Sequence, residues 1–383
     1  MSTDPSVSSS AEDTTAPSPS QELPKGTIPI RYEDFTFNGI YPDKLETAVF
    51  QNRYHLQRQL GQGWRSLVWL ANDVQEKCDV ALKILSAEET AEQGTGNFRE
   101  REALQIIDGK AKISPHDGLN YILTMRDAFF ETDVKGRYLV MVSEVLGESL
   151  RVRLQQRVGR AVPMEYLRFI MKQLIMALDF IHDVCDIVHT DIRSENIVFL
   201  LDTADVDLDD EKAWRLKLID FGYASTPQGD REAMDVQPRQ VRAPEVFIGC
   251  PWGTPIDIWN LGCLTFELAS GYNFVPPMRN IDLDDSYEYQ IAYYEKIIGD
   301  KFSDYLDFYQ NGKEFNKLLK SDGSVLRGFN NLEPLPQTLE MFGIDDPLFV
   351  DFVHCMLRLL PSARHTAKQL LSHPWLVAEP EAD

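Results

Sequence analysis

Residues 189–196 read HTDIRSEN and lie between the apolar runs IV (187–188) and IVFL (197–200). Between those runs the stretch reads as a loop whose two ends could each hold a metal ion or a proton. Asp191 can accept a proton from a hydroxyl, and Asn196 offers an amide oxygen suited to a hard cation. Farther on, LIDFG (218–222) sets Asp220 just after an apolar strand, a second oxygen ligand for the same kind of ion. Either loop alone is ordinary. Their succession in one order points to a site.

The upstream chain supplies the other half. In LGQGWRSLVWL (60–70), Gly61 and Gly63 lie on a strand turn where backbone amides can approach a phosphate, with Ser66 where a third small residue would sit. Alone, such a pair more often marks a hairpin. VALK (80–83) then ends an apolar strand on Lys83, and an inward-pointing lysine needs an anion, either a phosphate or a carboxylate. The next segment, NFREREALQIID (97–108), has helical spacing through Phe98, Ala103, Ile106 and Ile107, and it offers Glu102, with Glu100 as the alternative in another register.

Around these motifs the chain changes character once. YHLQRQLGQG, RSLVWLAND, CDVALKIL and YLVMVSEVL read as strands rich in β-branched and aromatic residues. After Gly147, MEYLRFIMKQLIMALDFIHDV, PIDIWNLGCLTFELASG and PLFVDFVHCMLRLL read as helices. A strand-rich lobe followed by a helix-rich lobe is an α+β architecture with a cleft between the two. Residues 1–28, rich in Ser, Thr, Pro and acid, read as a disordered tail, and LDTADVDLDDEKAW (201–214) reads as an acidic loop.

Composition narrows the partners. The 383 residues carry a formal charge of −22, which disfavours a nucleic-acid surface and favours a basic partner. Five cysteines without C-x-x-C spacing argue against disulfides and zinc and fit a reducing compartment. The amino terminus lacks the basic and apolar regions of a signal peptide. The longest apolar stretch, FIMKQLIMALDFI, is interrupted by Lys172, Gln173 and Asp179, so no membrane span is expected.

Taken together, residues 54–377 resemble a eukaryotic protein kinase domain, and the motif set is the one the general kinase pattern names. Within that superfamily the wording is similar to the SR-protein kinases of the CMGC group, carried by NGIYPDKLETAVFQNRYHLQRQLGQG, SLVWLAND, MVSEVLGESL, HTDIRSEN, QPRQVRAPE and LLSHPWL. The resemblance implies a bilobal kinase fold with a small lobe over 54–146, a large lobe over 147–377 and a CMGC-type insert at about 271–335. Residues 29–53 would form an extension docking on the kinase, and 378–383 a tail.

The resemblance also assigns roles. ATP and Mg²⁺ would be bound, with Gly61, Gly63 and Ser66 covering the phosphates, and with Val68 and Ala81 in the nucleotide-binding set. Lys83, paired with Glu102, would hold the α and β phosphates. Glu144 and Leu146 would present hinge backbone to adenine, behind the small residue Ser143. Asp191 would orient the substrate hydroxyl and accept its proton, Arg193 would touch the transferring phosphate, and Asn196 and Asp220 would hold the metal. Glu245 and Arg364 would form a buried ion pair, Asp257 would pin the catalytic loop, and His189 and Phe221 would belong to the core.

Three departures bear on regulation and turnover. Thr190 replaces the arginine that commonly receives an activation-loop phosphate, and Pro227–Arg242 contains no Ser, Thr or Tyr, so the expected enzyme is active without loop phosphorylation. Arg193 replaces a lysine, a planar fork for a point charge. Pro238 stands where a threonine commonly bonds the catalytic aspartate. The expected substrates are serine or threonine hydroxyls of basic, Arg/Ser-rich proteins, with Asp282, Asp284, Asp285 and Glu288 of the insert as acidic groups that could meet them. No direct nucleic-acid or membrane partner is expected of this monomeric, cytoplasmic enzyme, with nuclear entry left open. A non-SR substrate and a nucleotide-binding scaffold without turnover are the alternatives.

Overall fold

The computed structural model describes residues 45–63, 65–92, 100–156, 161–201, 214–226, 236–276, 283–328 and 332–378. The expectations for the tail at 1–28, for most of the acidic loop, for residues 227–235 and for 379–383 therefore lie outside the described residues.

The small lobe is a six-stranded antiparallel sheet in the order β1-β2-β3-β4-β6-β5. Its strands are β1 (Val49–Phe50), β2 (Tyr54–Gln62), β3 (Ser66–Asp73), β4 (Cys78–Leu85), β5 (Met125–Thr132) and β6 (Arg137–Ser143). β1 extends the edge by pairing Val49 with His55 and Phe50 with Tyr54. Leu45 and Phe50 bury into the same apolar core as Tyr54, Trp69, Leu82 and Val140, so this end of the 29–53 segment packs on the lobe.

Register places the site. Gly61 pairs with Val68, Val68 with Lys83, and Ala81 with Ser143. Cross-strand partners share a face, and so do residues two apart on one strand. Val68, Ala81, Lys83 and Ser143 thus line one face of the sheet, the one that also bears the glycine turn.

Helix α1 (Ala87–Glu92) precedes α2 (Glu100–Ile113), whose buried residues are Glu100, Ala103, Leu104 and Ile107. That 3-4-7 spacing is the inward stripe of a helix, and Ile106 lies at its half-buried margin. The same stripe carries Glu100 inward and leaves Glu102 beside it.

The large lobe begins with β7 (Leu146–Ser149), which pairs with β8 (Ile197–Leu200) and then β9 (Leu216–Leu218) in a three-stranded sheet under the cleft. Helices α3 (Leu150–Gln156), α4 (Met164–Asp179), α5 (Pro244–Ile248) and α6 (Pro255–Ser270) follow. Next come α7 (Leu283–Ile298), α8 (Leu306–Tyr309) and α9 (Phe315–Leu318), within the span expected of the insert, and then α10 (Leu335–Glu340). The chain closes with α11 (Pro347–Met356), α12 (Ala367–Leu370) and α13 (Pro374–Val377). All but two residues of α6 are buried, which fits a helix apolar on every side running through a large core.

Glu245 and Arg364 hold this lobe together. Their side chains are completely buried and form a two-pronged pair at 2.6 and 2.7 Å. Arg364 also donates to the carbonyls of Arg358, Pro255 and Leu359, so the desolvated guanidinium is well supplied with partners.

The five cysteines are all free. Among the described residues, no helix is long and apolar enough to cross a membrane. Asp351, Cys355 and His373 cluster at the base of the lobe. There His373 Nδ1 accepts the Trp375 amide, which leaves the proton on Nε2 facing Asp351 at 3.1 Å. A metal would need that lone pair, so the cluster is a structural cap.

Candidate active site

The cleft centres on Lys83. Its ammonium lies 2.8 and 2.7 Å from the two Glu100 oxygens and 2.9 Å from Asp220 Oδ1. The sequence-based expectation of Glu102 is corrected: Glu102 accepts instead from Arg101 at 3.2 Å. The reason is helical phase, since only position 100 shares the inward stripe with Ala103, Leu104 and Ile107.

Burial opposes the Lys83 charge, but Asp220 and Glu100 overcome that penalty and hold it firmly protonated. The same ammonium is the main cause that keeps the Asp220 carboxyl below its usual range. Burial pushes the Glu100 carboxyl above its usual range despite the pull of Lys83, so the one ammonium here faces two acidic groups, a setting open to a further cation.

Asp220 has a left-handed backbone, φ 64° and ψ 73°. Such a conformation costs energy for a non-glycine residue and persists where neighbours over-determine it. Those neighbours are visible. Phe221 is fully buried, with its ring 4.8 Å from that of His189, and the Ile219 amide donates to Asn196 O at 2.9 Å.

The loop HTDIRSEN is pinned from beneath. Asp257, fully buried on α6, accepts the amides of His189 and Thr190 at 2.7 Å each, and His182 Nε2 lies 2.9 Å from the same carboxylate. His189 is also fully buried; its Nε2 lies 3.0 Å from Ile219 O, and its Nδ1 accepts the Asp191 amide at 3.2 Å. This is the core role expected of it. Thr190, fully buried with φ 70°, donates its hydroxyl to the Tyr223 carbonyl at 2.9 Å.

Asn196 Nδ2 donates to the backbone oxygen of Asp191 at 2.9 Å and to its Oδ2 at 2.7 Å. The amide nitrogen is thereby committed, and the amide oxygen is left as the ligand atom. Asp191 Oδ1 is buried without a hydrogen-bond partner, and burial pushes its carboxyl above the usual range. An orphaned acceptor here fits an incoming hydroxyl. The hard oxygens of Asn196 and Asp220 fit a divalent cation that prefers oxygen ligands.

Arg193 lies beside them, its Nε 3.3 Å from Glu195 Oε2 and 4.0 Å from Asp191 Oδ1. At the mouth of the cleft, the Gly63 amide donates to Ser66 O at 2.8 Å, and a Cβ on Gly63 would come within 2.9 Å of Ser66 Oγ. Glu144 and Leu146 flank the crossing from β6 to β7.

Sequence reasoning missed a second lock, on Gln237. Its backbone is left-handed at φ 67°. Its buried amide donates to Ile256 O and Asn260 Oδ1 and accepts from the Ala243 amide, while its carbonyl takes two bonds from the Arg242 guanidinium at 3.2 and 2.9 Å. A glutamine between Val236 and Pro238 gives no sign of the bonds it makes; only the absence of phosphorylatable residues hints that something else holds this segment. In the insert, Glu288 is engaged by Arg327 at 2.9 Å. Asp282, Asp284 and Asp285 lie outside the residues whose side chains are described.

Comparison with known proteins gives one result. The protein kinase domain family matches residues 54–376. The chain is similar to the serine/threonine-protein kinase SRPK of Physarum polycephalum, 27% identical with 91% of each chain covered. It is also similar to protein kinase dsk1 of Schizosaccharomyces pombe, 25% identical over 91% of this chain and 85% of the relative. A third relative is the serine/threonine-protein kinase AFC2 of Arabidopsis thaliana, 28% identical over 84% and 76%. A crystal structure of a kinase domain shares the fold, with a TM-score of 0.68 and 21% identity over 88% of this chain and 99% of that one.

Proposed function

This chain belongs to the protein kinase family, and on that premise we propose that it transfers the terminal phosphate of ATP to serine or threonine hydroxyls of basic, Arg/Ser-rich proteins, without prior phosphorylation of its activation loop. The observation that carries the reading is the assembled cluster of Lys83, Glu100 and Asp220 facing Asp191 and Asn196. A scaffold has no chemical need for all five.

In this reading Lys83, braced by Glu100, orients the α and β phosphates. Asn196 and Asp220 would hold Mg²⁺, which when bound would neutralise charge on the phosphates. Asp191 receives the substrate hydroxyl at Oδ1, which has no hydrogen-bond partner, and takes its proton as the oxygen attacks the terminal phosphorus in line and the bond to the departing ADP breaks. Catalysis comes from positioning and charge placement rather than acid strength.

Independence from loop phosphorylation is supported by two substitutes for a phosphate clamp. Thr190 ties the catalytic loop to the Tyr223 carbonyl, and Arg242 ties the following segment to Gln237. The basic substrate class is supported by the charge of −22 and by the likeness to the kinase named SRPK.

A panel of peptides tests the substrate class: transfer to Arg-Ser repeats should exceed transfer to Pro-directed sequences, and the reverse order would assign a different substrate. Phosphatase treatment should leave the rate unchanged, and a large drop would overturn the regulatory part. The scaffold alternative draws on Arg193 and Pro238 and predicts nucleotide binding with no transfer to any peptide.

A further inference from the structure

Lys217 lies on β9, three residues before Asp220 in the chain, and is 8% exposed. Its ammonium sits 2.7 Å from Glu144 Oε1, on the crossing between the lobes, and donates to the Ile122 carbonyl at 3.0 Å. Ile122 closes the connection from α2 to β5. That connection is fastened to β9 by an Ile122–Leu218 bridge and by the Leu123 amide donating to Leu218 O at 3.0 Å. It is also seated on α4, where a Cβ on Gly118 would come within 2.0 Å of Met176 O.

One buried ammonium therefore joins three segments: the crossing whose backbone would meet adenine, the connector behind α2, and the strand that delivers Asp220. A buried ammonium is a poor choice for stability alone, since apolar residues of similar volume often serve as well or better, and its partner Glu144 is itself only half-buried. The pair does fix geometry, because the charges cannot separate without leaving one of them desolvated and alone.

We propose that the Lys217–Glu144 pair is a latch that sets the spacing between the adenine end and the phosphate end of the nucleotide site, making Lys217 a positioning residue for ATP. This rests on the kinase reading above. It makes a distinction that general destabilisation would not: a ligand spanning both ends senses the latch, and one touching only the adenine end does not.

The test measures binding of Mg²⁺·ATP and of adenosine by calorimetry to wild type, Lys217→Met, Glu144→Gln, the double variant and Lys217→Arg. Lys217→Met should weaken ATP about ten-fold, a coupling of ordinary size for linked sites, while adenosine stays within about two-fold. The double variant should be no worse for ATP than Lys217→Met, and Lys217→Arg should recover most of the loss. Parallel weakening of both ligands, or no change in ATP, would overturn the latch. If Lys217→Met fails to fold, the double variant, which leaves neither charge without its partner, carries the same comparison. Failure of wild type to bind ATP would instead overturn the kinase reading.

Discussion

Exchanging the carboxylate that grips Lys83 separates two readings that the sequence left open. Glu100→Gln keeps size and one acceptor oxygen but removes the charge facing the ammonium at 2.7 and 2.8 Å. A hydrogen bond to a charged group is worth about 1.5–3 kcal/mol net. Glutamine forfeits about one such bond, and Lys83 is then left to Asp220 at 2.9 Å, so it binds the aspartate harder and the phosphates less. If that loss falls on the transition state, kcat/KM drops about 10- to 150-fold. Glu102→Gln touches only the contact to Arg101, which is partly exposed, and should change kcat/KM by less than about two-fold, in keeping with the small worth of exposed pairs. The assay is steady-state phosphate transfer by both variants, with thermal melts to confirm that each is folded. A loss at Glu102 equal to or larger than that at Glu100 would refute the reasoning.

Other predictions follow from the same structure. Arg364→Met strands a fully buried Glu245 and should cost about 3–5 kcal/mol, read as a fall in the denaturant midpoint at constant slope. Gly118→Ala has no room beside Met176 O and should lower the melting temperature more than Gly61→Ala, whose Cβ would meet nothing. Because burial raises the Asp191 carboxyl and the mechanism needs its ionised form, activity should fall on the acid side at a higher pH than for an ordinary aspartate. A pH–rate profile whose acid limb lies within or below the normal carboxylate range would count against that role.

Much of this was legible in the chain because the decisive features are local. HTDIRSEN, LIDFG and VALK announce themselves by charge amid apolar runs, and the strand-to-helix change after Gly147 marks the two lobes. The helical pattern around Glu100 was visible too. The buried stripe runs through Glu100, Ala103, Leu104 and Ile107, a phase that the apolar spacing read from the sequence does not single out, and a shift of phase turns a different carboxylate inward. The strand β5 is not legible in the sequence because MRDAFFET is interrupted by charge and is half-exposed along most of its length. The bonds of Gln237 to Ile256, Thr190 to Tyr223 and Lys217 to Ile122 join residues 19 to 95 positions apart, and no local pattern encodes them. They emerge only when burial leaves each polar atom one available partner.

The account's central claim is that HTDIRSEN is a working catalytic loop. Its most direct test is transfer of radiolabelled phosphate from Mg²⁺·ATP to an Arg-Ser repeat peptide and to a generic basic protein, by wild type and by Asp191→Asn. Transfer by wild type with loss in the variant, both binding ATP alike, is the predicted result. Nucleotide binding without transfer to either acceptor, or equal transfer by both proteins, would contradict it.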